Sequence, residues 1–113
     1  MQNPLYSLSQ IEIMSGGNTE FINQMVDLFI KLTPDLIQQL NFGLLESDGD
    51  KIYFAAHKLK LSVDMMGIQS IQTEIRMIEK LAKEKGDFAT LNTLILHTNA
   101  VLNSVILQLK SRN

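Results

Sequence analysis

Two histidines, no cysteine and no tryptophan stand in a chain of 113 residues, so the side-chain chemistry open to it is narrow. Without thiols there are no disulfides, no cysteine-based zinc module and no thiolate nucleophile. No G-x-G-x-x-G or G-x-x-x-x-G-K-[ST] run offers a phosphate-cradling loop. A di-iron bundle wants Glu three residues before His, but Phe54 precedes His57 and Leu94 precedes His97 at that distance. A Ser-His-Asp arrangement fails on helical geometry. Ser62 stands about 140° around a helix from His57, and Asp64 lies roughly 10 Å along it. No metal site and no cofactor are expected.

His57 remains. In Ala55-Ala56-His57-Lys58-Leu59-Lys60-Leu61-Ser62, Ile52 and Val63 centre an apolar stripe. Relative to it, His57 falls at about 140°, on the solvent side; Lys60 is at about 80°, Asp64 about 120°, Leu61 about 180°, Phe54 about 200° and Lys58 about 240°. An imidazole is largely neutral near pH 7 and can act as a nucleophile. A phosphoryl group on it would meet the ammonium of Lys60 one turn later, with Lys58 adding positive potential. The bland reading is an ordinary surface histidine. Phe54 and Leu61 flank His57 where water is expected; they are either scattered apolar residues or a docking patch. His97, at the edge of another stripe, reads as a partly buried structural histidine. The methionines read as core filler, and Lys80, Lys83 and Lys85 as complements to a helix dipole.

The elements that must hold these residues are helical. Ser7 to Met14 makes a short helix, with Ser7 and Gln10 at capping-box spacing. Gly16-Gly17 ends it, and Asn18 or Thr19 caps the next. From Asn18 to Glu46 the apolar residues Ile22, Met25, Phe29, Leu32, Leu36, Leu40 and Leu44 step by three or four. They predict one long helix kinked at Pro34, or two abutting helices with Pro34 first in the second. Asp50 to Met66 buries Ile52, Ala55, Ala56, Leu59, Val63 and Met66, with Gly67 closing it. Ile68, Ile71, Ile75, Ile78 and Ala82 line a helix ending at Gly86. Leu91, Leu94, Ile95, Thr98, Leu102, Val105 and Leu109 line the last. Short connections make the expectation all-α: an antiparallel up-down-up-down four-helix bundle with a short N-terminal helix, one domain over residues 1–113.

Composition agrees. Hydrophobic residues are 45% and charged residues 19%, which argues against disorder. A net charge of −2 speaks against nucleic acid as a partner. No apolar run approaches the ~20 residues of a membrane span, so no membrane is expected. Met1-Gln2-Asn3-Pro4 lacks the pattern of a secretory signal, which makes the expected location cytoplasmic.

The run Ala56-His57-Lys58-Leu59-Lys60-Leu61-Ser62, with Met66-Gly67-Ile68 after it, resembles the signature of histidine-containing phosphotransfer (HPt) domains, roughly H-x-L-K-G-S/A and then a Gly–small pair. Ile13-Met14-Ser15-Gly16-Gly17-Asn18-Thr19-Glu20-Phe21 is similar to that family's lead-in, and Phe29 and Thr33-Pro34 sit where it often places similar residues. The resemblance spans about Leu5 to Leu109. It implies a bundle that relays a phosphoryl group without kinase activity. His57 would be the phosphoacceptor, Lys60 would steady the phosphoryl oxygens and Gly67 would close the helix. Phe54, Lys58, Leu61 and Asp64 would form the receiver-docking face. The partners implied are response-regulator receiver domains or a hybrid sensor histidine kinase, with Mg²⁺ supplied by the receiver, and the domain would be a monomer. One residue departs from the signature: the family has Gly four residues after the His, and here it is Leu61, which would lean toward His57 and narrow access. The alternative is therefore a receiver-binding module that transfers poorly. A third reading is a structural bundle that dimerises through Phe54 and Leu61.

Overall fold

A computed structural model describes residues 4–112; Met1-Gln2-Asn3, which enter the reading for a leader, and Asn113 lie outside the described residues. Among the described residues there are five α-helices and no strand: α1 (Ser9–Ser15), α2 (Thr19–Leu45), α3 (Gly49–Met65), α4 (Gln72–Lys83) and α5 (Phe88–Lys110), with a 3-10 turn at Gln69–Ile71 before α4. α3 packs on α2 and on α4, α5 packs on the same two helices, and α1 rests on α2.

Local chemistry sets the boundaries. Asn18, Asp48 and Asp87 each accept the N–H three residues on, from Phe21, Lys51 and Thr90, so α2, α3 and α5 start on side-chain caps. The capping box expected at Ser7 does not form. α1 starts two residues later with no side-chain cap. The Ser7 hydroxyl accepts instead from the Ser9 N–H, and the Ser7 N–H donates to the Met66 carbonyl at 2.9 Å. That bond lays the N-terminal segment over the end of α3, where Gly67 turns the chain at φ +60°. A β-carbon on Gly67 would stand 2.8 Å from the Ser7 carbonyl oxygen.

The buried stripes of α3, α4 and α5 are those the spacing predicts. Ile52, Leu59, Ile71, Ile75, Ile78, Leu91, Ile95 and Leu102 have no exposed surface, each contributing about 1.5–3 kcal/mol by transfer. α2 differs. It is one unbroken helix through Pro34, and its inner side is Val26, Phe29, Thr33, Ile37, Leu40 and Gly43. Leu32, expected inside, is 48% exposed, and Ile22, Met25, Leu36 and Leu44 are half-buried. α2 is apolar on two adjoining columns, and steps of three and four fit either. Gly43 lies on the correct column because a β-carbon there would come within 2.4 Å of Ile52.

α5 also departs from expectation. Its most apolar 18-residue window has a mean hydropathy of 1.2, enough by length and composition to cross a membrane, and 39% of that window is buried within the molecule. The interruptions that hid it are uncharged: Asn92, Thr93, Thr98, Asn99 and Asn103.

Gly67→Ala places a side chain in a left-handed conformation and against Ser7. It should lower stability by about 2 kcal/mol, read as a shift of the urea midpoint. Gly86→Ala, with open space around the added carbon, should move it by no more than about 0.5 kcal/mol; equal losses at both sites would refute this account of the turn.

Candidate functional site

His57 projects from the outer side of α3, its side chain 50% exposed. The ring stacks on Tyr53, one turn earlier, at 5.7 Å between centroids and 18° between planes. Tyr53 meets Phe54 edge-on and lies beneath the Lys83 ammonium, 5.9 Å from the ring centre. The backing therefore comes from α3 itself and from the end of α4.

The decisive partner comes from α4. Glu79 Oε2 lies 2.5 Å from His57 Nδ1, and Lys60 Nζ donates to Glu79 Oε1 at 3.0 Å. A carboxylate only accepts, so Nδ1 carries the proton and donates it to Glu79, and Nε2 is the nitrogen left for chemistry. The Glu79 side chain is only 15% exposed and Lys60 25%. Burial pushes the Glu79 carboxyl toward protonation. The hydrogen bonds from His57 and Lys60, and their charge, outweigh burial and hold it below the ordinary glutamate range.

Sequence spacing missed Glu79. It lies 22 residues from His57, beyond any helical repeat. The available signal was an acid beside Ile78 at the border of the α4 stripe, where a charge next to a buried face needs a partner. Lys60 is consequently not a free ammonium: it is already bonded to Glu79.

The other candidate residues take distinct places. Asp64 adds no unpaired negative charge to the site, because Arg76 of α4 binds it at 2.5 Å. Phe54 and Leu61 are both exposed, at 60% and 62%. Leu61 does not seal the imidazole. It turns toward α2, where with Met25, Leu28, Leu32, Lys58 and Met65 it lines an open groove of about 510 Å³ between α2 and α3. Met25, Leu32 and Leu36, which spacing assigns to the core, line this groove instead. His97 is a correction: it is exposed rather than partly buried, and its Nδ1 lies 2.6 Å from Glu74 Oε2. The two carboxylates of α4 thus reach in opposite directions, one to α3 and one to α5.

The site therefore presents a ring with one nitrogen clamped and one open, a shared ammonium, and an apolar groove beside it. Such a ring can accept an electrophile or a proton at Nε2 while the carboxylate steadies the positive charge that develops.

Glu79 also makes stability depend on pH. Its folded pKa lies below the ordinary 4.5, so its contribution is complete above that value and disappears as pH falls through the folded one. The wild-type chain should lose stability more steeply below about pH 4.5 than Glu79→Gln does, measured as urea midpoints across that range; parallel curves would remove Glu79 as the cause. The chain matches no family model, no curated protein and no solved structure.

Proposed function

We propose that this chain is an HPt-type phosphotransfer domain that accepts a phosphoryl group on His57 Nε2 from the aspartate of a receiver domain and passes it on. The observation that carries the reading is the Glu79 carboxylate, which fixes the His57 proton on Nδ1 and leaves the Nε2 lone pair free on a half-exposed ring. The four long helices, each packed on two others and joined by short turns, support an antiparallel up-down-up-down bundle with α1 laid on it. The reading puts the domain in the cytoplasm, beside response-regulator receivers or a hybrid sensor kinase, with no kinase activity of its own. Mg²⁺ would come with the receiver.

In the transfer, the Nε2 lone pair attacks the phosphorus of the aspartyl phosphate. The P–N bond forms as the P–O bond breaks, and the carboxylate leaves with its electron pair. Glu79 holds the Nδ1 proton and offsets the charge of the phosphorylated ring. Lys60, bonded to Glu79 and one turn from His57, reaches the incoming oxygens by rotating about its side-chain bonds. The groove lined by Leu61, Met25 and Leu28 gives a receiver an apolar seat beside the ring. On this geometry Leu61 belongs to the seat; the alternative, a receiver-binding module with a blocked histidine, requires it to obstruct the ring.

The test is transfer from a phosphorylated receiver, followed as acid-labile, base-stable label. Wild type should take up label and His57→Gln none. Lys60→Ala and Glu79→Gln should each slow uptake by about tenfold or more, the usual scale for a positioned charge near a transferring group. Leu61→Gly separates the readings: no gain in rate, or a loss, fits Leu61 as part of the seat, whereas a large gain shows that it blocks the site. Retained label in His57→Gln would overturn the assignment.

A further inference from the structure

The side of the molecule away from α3 has a different character. From Phe88 to Leu109 α5 contains no Asp, Glu, Lys or Arg, whereas the 12 residues of α4 contain five: Glu74, Arg76, Glu79, Lys80 and Lys83. Part of α5 is core, but its outer side is exposed and equally free of charge. Ala89, Thr93, Leu96, Ala100, Asn103 and Leu107 are all exposed, Leu96 at 60% and Leu107 at 66%. Their spacing alternates four and three, the seam of a helix that packs on another helix. His97 stands off this seam, turned to Glu74.

We propose that this outer face of α5 pairs with the same face of a second copy of the chain. Three features select that occupant. In a two-fold contact every residue meets the surface that contains itself, so a face bearing charges of one sign repels its own image; this one bears none. Its polar groups, the amides of Asn92 and Asn103 and the hydroxyls of Thr93 and Ser104, each donate and accept, so the face can satisfy itself, whereas lipid would leave them unpaired. Ala89 and Ala100 let two backbones approach closely. The size is also sufficient. α5 has 23 residues, about 34 Å of helix. With the uncharged last turns of α2 beside the exposed Leu45, the face comes to roughly 450 Å² per copy, the size of a weak, reversible contact. α3 packs on the other flanks of α2 and α4, so His57 stays open in the dimer.

The proposal is independent of what His57 does. Sedimentation of the whole chain from about 1 to 200 µM should show a reversible dimer. Ala100→Glu and Leu96→Glu, both at exposed positions, should keep the helical circular dichroism and weaken the dimer by about tenfold or more. Leu61→Glu and His57→Gln should leave it intact, and Ala100→Glu should label at His57 at the wild-type rate per chain if the transfer reading holds. A wild-type monomer across the whole range would overturn the proposal, as would a dimer that survives both α5 variants. Loss of the dimer in Leu61→Glu alone would move the contact to the His57 face and overturn it too. Flotation of the monomer with phosphatidylcholine vesicles, abolished by Ala100→Glu, would assign the face to lipid and overturn it equally.

Discussion

A carboxylate that is mostly withdrawn from water must be compensated, and Glu79 is compensated twice, by an imidazole N–H and an ammonium from the adjacent helix. The three groups form a joint between α3 and α4. Breaking it from either side leaves a partly buried charge without its partner, which costs more than the pair contributes when whole. The same joint fixes the tautomer of His57, so packing of two helices and the identity of the free ring nitrogen are decided by one contact. The Lys83 ammonium over the Tyr53 ring and the Arg76–Asp64 pair hold the same interface on either side of it.

Much of the scaffold can be read from residue spacing. α3, α4 and α5 bury the columns that run through Ile52 and Leu59, Ile75 and Ile78, and Leu91, Ile95 and Leu102, so spacing finds the core even though Phe54, Leu61, Leu96 and Leu107 stay outside it. α2 is ambiguous because Leu28, Leu32 and Leu36 form a second apolar column next to the true core line, and nothing local says which is covered. The half of the site that lies within one helix, His57 and Lys60 at one turn, is equally legible. The half that crosses helices is not: Glu79 and Arg76 reach α3 through tertiary packing alone. Leu61 shows the limit from the other direction. Its position one turn beyond the histidine suggested obstruction, yet the neighbouring helix offers its side chain a groove, and rotamer choice follows the neighbour. Ser7 illustrates a competition at shorter range: its backbone N–H finds the end of α3, so the local cap is given up.

Charge is segregated in this molecule. Among the described residues three of the five ion pairs join α3 to α4, while the outer face of α5 presents amides, hydroxyls and aliphatic carbons. A net charge near zero conceals this, because it averages a heavily charged side with a neutral one. The two sides therefore differ in the field they present: one carries paired charges, the other almost none.

The strand of chain ahead of α1 closes the structure at two distant points. Leu5 donates to the side chain of Gln108, 103 residues away, and Ser7 to the main chain at Met66. Residues 5–7 leave the ribosome long before either acceptor exists. During synthesis they stay unclasped while the helices assemble, and the final latch waits for α5 to emerge. A segment made before α3 and α5 is thus fastened only after both.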